Sequence, residues 1–326
     1  MTGSGTRKKT PANFLWITAS IGGAVAVWMW PHEKAEPTRS VTPVAPLAAI
    51  EKIPLPSGPE RQVSDEIDRA VGKSSPLDKT SRLATLRTQD GALGPVETGL
   101  LLGELLHPGP ADEGKAWESE YFHEICLLLQ RRGEGKEKLA RVLATVAADT
   151  QRDIRIRDYS IQHLRTVWAA AGSDAALRAS IQATFRSLME NQPQVASSAL
   201  LSLHLLGSDF TSGTMPEAAD HHYALPDSEI IPAVKAVVVS PDPEHRATSL
   251  RMTALRVISD RKIQSLLPEV RKMAANEEGE HAVTRMAAIA ALAQFAEPED
   301  RALLESISAT DPRITSAVKH ALTRIP

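Results

Sequence analysis

A single cysteine, Cys126, in 326 residues leaves no intramolecular disulfide to form and too few thiolates for a cysteine-based zinc site. Aromatic residues are equally sparse at 4%, so a core built on large rings is excluded and packing falls to alanine and leucine, which suit closely spaced helices. Charge of one sign is also missing. The 37 Lys+Arg nearly balance 40 Asp+Glu for a formal charge of -3, so no global basic field points to nucleic acid and no acidic excess to a solvating tail. Alternating apolar and polar runs of strand type are absent as well. What is present is ordinary for a folded chain: 42% hydrophobic and 24% charged residues.

The first sixty residues read as an address and a tether. A basic arm (1–12) carrying Arg7, Lys8 and Lys9 precedes Phe14–Trp30, a 17-residue uncharged run. As a helix it would be about 26 Å long, close to the thickness of a hydrocarbon core. Trp16, Trp28 and Trp30 sit near its ends, where indoles favour the lipid boundary, and the basic arm places the N-terminus in the cytoplasm. The expectation is an uncleaved transmembrane anchor over 13–30, with everything after Pro31 across the membrane. A cleaved signal peptide is the rival, since Ala24-Val25-Ala26 is a usable cleavage site. Both imply export, to the periplasm in a bacterium.

From 31 to 60, seven of thirty residues are proline, which lack a donor and fix φ, so the segment is expected to be a solvated, extended spacer. Its aliphatic residues Val41, Val44, Leu47, Ile50, Ile53 and Leu55 leave docking on the folded domain as the alternative.

After Arg61, apolar residues at helical spacing are broken by Gly, Pro and Asp every 12 to 20 residues. Helices pair off most clearly over 136–326: Lys136–Ala148 with Asp153–Ala170, Asp174–Glu190 with Pro193–Leu206, Asp227–Val239 with Glu244–Ser259, Lys262–Ala275 with Gly279–Ala296, and Glu299–Ala309 with Pro312–Ile325. Upstream helices over Leu77–Arg87, Pro95–Leu106 and Lys115–Gln130 have no evident pairing. The second helices share a register in which Ile156, Ser160 and Leu164 match Val195, Ala199 and Leu203, then Leu250, Ala254 and Ile258, Thr284, Ala288 and Leu292, and Ile314, Val318 and Leu322. Offsets of 0, 4 and 8 form one narrow stripe. One residue past each start stand Arg157, Arg251 and Arg285, placed to hydrogen-bond a carboxylate or carbonyl of the adjacent repeat.

These segments, DIRIRDYSIQHL, RMTALRVI, TRMAAIAALAQF and DPRITSAVKHALTRI among them, resemble the second helix of the HEAT repeat family. The arginine becomes Ala196 and Thr315 in two units, and the starts step by 39, 55, 34 and 30 residues, closer to the compact repeats of bilin lyases than to the longer type. The resemblance implies an all-α, HEAT-like α-α solenoid over 61–326, in which stacked pairs complete one another's core.

Little chemistry is legible. The longest step holds an insertion, 207–226, with Asp220, His221, His222 and Tyr223, a candidate partner contact. Asp-His-His in direct succession lacks the spaced second element of a metal site. His123-Glu124 is followed by Leu127 where a metalloprotease helix needs histidine, and Gly133–Lys136 lacks the length and Ser/Thr of a phosphate loop. Cys126 reads as a buried thiol, and His163 and His204 as surface or partly buried helix residues. Basic clusters (Arg152, Arg155, Arg157, Arg165; Arg251, Arg256, Arg261, Lys262) are interleaved with Asp153, Asp158, Asp260 and Glu269, and read as solvated faces and inter-repeat contacts. The expectation is therefore a membrane-anchored, non-enzymatic scaffold that binds protein partners, with no cofactor and no nucleic acid. An enzyme using polar groups of 207–226, or a structural envelope tether, are the alternatives.

Overall fold

A computed structural model describes residues 45–50, 52–53, 65–71, 75–107, 115–132, 135–207, 223–240, 248–276, 279–307 and 310–326. All lie in one compact unit formed by 42–208 and 222–326; the other unit, 1–41 with 209–221, falls outside the described residues. So does Phe14–Trp30. Among the described residues no helix is long and apolar enough to cross a membrane.

The described residues hold fourteen α-helices and no strand: α1 (Asp65–Ala70), α2 (Lys79–Thr88), α3 (Pro95–Leu106), α4 (Lys115–Arg132), α5 (Lys136–Ala148), α6 (Ile154–Ala170), α7 (Ala175–Asn191), α8 (Ala196–His204), α9 (Asp227–Val239), α10 (Thr248–Asp260), α11 (Leu267–Ala275), α12 (Ala282–Phe295), α13 (Glu299–Ser306) and α14 (Pro312–Leu322). A single 3-10 turn, Gln264–Leu266, leads into α11.

Local chemistry explains the boundaries. Asp78, Asp153, Asp174 and Asp311 each cap a helix, their carboxylates accepting from the backbone N–H of Ser81, Arg155, Leu177 and Arg313 at 2.9–3.0 Å. At α3, Pro95 opens the helix and the Glu97 carboxylate reaches back to the Gly94 N–H at 2.7 Å. α11 and α12 end on the left-handed residues Asn276 and Ala296.

Each odd-numbered helix packs on the even-numbered helix that follows it, so the fourteen form seven consecutive pairs. The second helices then form an unbroken succession, α2 on α4, α4 on α6, α6 on α8, α8 on α10, α10 on α12 and α12 on α14. α3 also packs on α5, α5 on α7 and α11 on α13. The stripe read from sequence is the buried seam: Ile156, Ser160, Leu164, Val195, Ala199, Leu203, Leu250, Ala254, Ile258, Ala288 and Leu292 are all within 2% of full burial. Alanine or serine at the middle position lets neighbouring second helices approach closely. The upstream pairing missing from the sequence reading is α1 with α2 and α3 with α4.

The spacer departs from expectation. Rather than being solvated throughout 31–60, it is docked where it is described. Leu47, Ile50 and Ile53 pack against the helical core. The Leu47 N–H donates to Thr184 Oγ1 on α7 and the Ile50 N–H to Thr145 Oγ1 on α5, both at 3.0 Å. Each threonine hydroxyl in turn donates to the carbonyl four residues earlier in its helix, Ser180 or Arg141. Both hydroxyls are thereby used as donor and acceptor.

Candidate functional site

The arginines singled out by register are buried, and their donors face helix ends. Arg157 Nε donates to the Ala147 carbonyl at 2.9 Å, Arg285 Nε to Ala274 at 2.8 Å, and Arg251 Nη2 to Ser240 at 3.3 Å. In each case the acceptor closes the first helix of the same pair, where carbonyls have no intrahelical partner and the helix dipole favours a cation. The sequence reading assigned them to the adjacent repeat, and that holds for the terminal guanidinium nitrogens of Arg157 and for Arg251 Nη1. Arg157 Nη1 and Nη2 reach Gln194 and Gln192 of the next pair at 2.8 Å, and Arg251 pairs with Glu280 of the next pair. Arg82, not recognised from sequence, repeats the device: its Nε donates to the Ala70 carbonyl at 2.8 Å, and its guanidinium lies over Trp117 and Tyr121 of α4.

Of the candidates in the 207–226 insertion, Asp220, His221 and His222 lie outside the described residues. Tyr223 does not belong to a free loop. The insertion's ends are pinned together: the Ala224 N–H donates to the Leu206 carbonyl at 2.7 Å, and Leu225 is buried. Gly207 makes this closure possible. Its φ is +80°, and a Cβ there would lie 2.7 Å from Ala224 Cβ and 2.9 Å from its nitrogen.

Tyr223 stacks on His204 at the end of α8 (4.6 Å between centroids), and the Arg261 guanidinium lies 4.1 Å over the Tyr223 ring. His204 is fully buried, not the surface or partly buried residue expected; His163 is buried too, at 5% exposed. His204 Nδ1 accepts from Arg261 Nε at 3.1 Å, which places the proton on Nε2, 3.1 Å from the Asp260 carboxylate. Arg261 also donates to the Leu225 carbonyl at 2.8 Å and to Asp227 at 3.0 Å, tying α8, α9 and α10 to the returning segment. Burial pushes the His204 pKa down against the opposing Asp260 carboxylate. Burial alone would raise Asp260, but the hydrogen bond from His204 and the charge of Arg256 outweigh it and hold that carboxyl below its ordinary range. Burial raises the Tyr223 phenol. An Asp–His pair of this kind resembles the orienting half of a catalytic triad, but both imidazole nitrogens are engaged and the ring is enclosed. The arrangement is a latch at the base of the insertion.

A second buried histidine joins α4 to α6. Gln130 Nε2 lies 3.0 Å from His163 Nδ1 and 3.4 Å from its carbonyl oxygen, so the amide donates to both. His163 Nε2–H then donates to His123 Nδ1 at 3.0 Å. Burial, reinforced by the neighbouring His123, drives the His163 pKa down to about 3. Cys126 is buried as expected, and burial raises its thiol well above its ordinary value. Among the described residues, no group of three or more His, Cys, Asp or Glu side chains is placed to hold a metal ion.

No family model matches the chain. A search of curated proteins finds no match either. Among solved structures, human deoxyhypusine hydroxylase in complex with glycerol aligns over 80% of this chain and 94% of its own, at 14% identity and a TM-score of 0.24.

Proposed function

We propose that the chain is a membrane-anchored, extracytoplasmic scaffold whose HEAT-like helix pairs bind protein partners. The observation that supports this most directly is the docking of residues 45–50 and 52–53. Consecutive first helices, α5 and α7, receive an extended polypeptide through side-chain acceptors and half-buried aliphatic contacts. Successive pairs repeat the same backbone frame, so surface residues that do not seal the seams are free to carry recognition. Anchoring through Phe14–Trp30 and an outward-facing repeat domain belong to the same proposal. In it, the Asp220–Tyr223 insertion supplies a partner contact projecting from the His204–Arg261 latch.

Crosslinking of the full chain in its native membrane, followed by identification of the attached protein, tests the reading. A scaffold yields a discrete partner at defined helix faces; no crosslink above that of an unrelated membrane protein would contradict it. Protease added to intact spheroplasts tests topology. The domain after Glu60 is expected to be digested there, and digestion only after lysis would reverse the orientation.

A further inference from the structure

The docked segment carries a pattern that the helices beneath it can read. Leu47, Ile50 and Ile53 are the half-buried residues, whereas Ala45, Pro46, Ala48, Ala49 and Lys52 are exposed. The two backbone N–H groups engaged by the helices, at Leu47 and Ile50, follow the same interval. Burial and hydrogen bonding that recur every third residue belong to a threefold, polyproline-II-like chain, which has no internal hydrogen bonds and so offers its backbone N–H groups to outside acceptors. Sequence supports that conformation. Pro46 and Pro54 flank Leu47–Ile53, and aliphatic residues recur every third position from Val41 through Val44 and Leu47 to Ile53.

The helix layer has a matching repeat. One turn of such a chain advances about 9.3 Å, and packed helices lie about 8–10 Å apart. One turn therefore crosses one helix, which is what the bonds to Thr184 on α7 and Thr145 on α5 record. Contact is incomplete: Leu47, Ile50 and Ile53 each keep part of their surface exposed, unlike Val142, Leu143 and Ile181 in the helices below, which are fully buried. A segment held this way in cis relies on the high effective concentration its covalent link provides.

We propose that the α5–α7 face is a docking site for proline-flanked, extended peptides bearing an aliphatic residue at every third position. Residues 45–53 are its resident occupant, and a partner segment of the same pattern displaces them. This rests on the scaffold reading and names the surface and the partner chemistry for it. Side chains at every third position fill the groove, the two threonine hydroxyls read the backbone, and the intervening residues face outward and tolerate variation.

The test uses the full chain and a fluorescent synthetic peptide of residues 42–54. A strap variant, Leu47→Asp with Ile50→Asp and Ile53→Asp, is expected to bind the peptide at least tenfold more tightly than the natural chain, whose groove is occupied. Adding Thr145→Val and Thr184→Val to that variant is expected to lose at least tenfold in affinity, with circular dichroism unchanged. If the strap variant fails to fold, hydrogen exchange of the natural chain with excess peptide replaces it: 45–53 is expected to lose protection while α5 and α7 keep theirs. No binding to the folded strap variant overturns the proposal, as does equal binding of a peptide with the aliphatic residues moved to every second position. A concentration-dependent dimer dispersed by the peptide would put a second copy's segment in the groove and overturn the assignment in cis. A native partner crosslinked only outside α5 and α7 would sink this inference and leave the scaffold reading standing.

Discussion

At the scale of single residues, the fold depends on cations placed at helix C-termini by neighbouring helices. Besides Arg82, Arg157, Arg251 and Arg285, Arg131 donates to the Leu86 carbonyl at the end of α2, Arg152 to Leu105 and Leu106 at the end of α3, and Arg261 to His204 at the end of α8. Lys136 and Lys262 do the same for Ala170 and Gln294. Terminal carbonyls without an intrahelical partner are met, and the dipole is complemented. Arg157 is the most demanding case, fully buried with one backbone and two side-chain acceptors. Arg157→Met keeps the packed stem and removes the donors, and should cost about 2–3 kcal/mol. That is a fall of roughly 5–10 °C in the thermal midpoint at about 2–4 °C per kcal/mol. Arg157→Lys should recover little, because one ammonium cannot serve three acceptors arranged for a planar fork. An unchanged midpoint would refute the capping role.

His163 makes a second residue-scale prediction, in pH. Its folded pKa of about 3 lies below the unfolded value of about 6.5, so below pH 6.5 the unfolded chain takes up a proton that the folded chain refuses. The sign follows: the site's full contribution is present above about pH 6.5, and stability falls by about 1.4 kcal/mol per pH unit as the pH drops below that. His204, shifted in the same direction, adds to the slope. Denaturant titrations at pH 7, 6 and 5 should show a steeper loss for the natural chain than for His163→Gln. Parallel slopes would contradict the buried neutral assignment.

At the scale of elements, α3, α5 and α9 coincide with their sequence-based limits, since each begins or ends at a residue with an unambiguous backbone preference, such as Pro95, Gly135 or Pro226. Others are off by one to five residues where ends carry weaker markers; the helix expected from Lys262 begins at Leu267, after the 3-10 turn Gln264–Leu266. α1, six residues long, escaped notice because one turn and a half shows no periodicity. The insertion shows why site geometry was harder to read. His204 and Arg261 are 57 residues apart, and the packing of α8 on α10 together with the pinning of Leu206 to Ala224 brings the segment before the insertion to the one after it. Gly207 was the available signal. Gly207→Ala would force a left-handed residue with a side chain into Ala224, and should cost about 1–3 kcal/mol. It should also expose the 223–226 segment to proteolysis; a variant as stable and as protected as the natural chain would argue against the latch. The docked spacer had a legible sign too. Proline density suggests an extended chain, but the three-residue aliphatic spacing, not the prolines, marks the face that adheres.

At the scale of the whole molecule, the described helices form a succession in which each pair covers the apolar flank of its neighbour. The shared stripe and the arginine beside it were readable in sequence because each repeat solves the same local problem. Contacts made by the outward-facing residues were not, because such surfaces obey no periodic rule. In a succession of this kind stability is approximately a sum of pair and interface terms, so damage at one end should stay local. The most direct test removes α13 and α14 by ending the full chain after Glu297 and maps hydrogen exchange across the remainder. Protection is expected to fall in α11 and α12, whose covering pair is gone, and to persist unchanged from α3 through α8. Loss of protection throughout, including α5 and α6, would mean one indivisible core and would contradict the account.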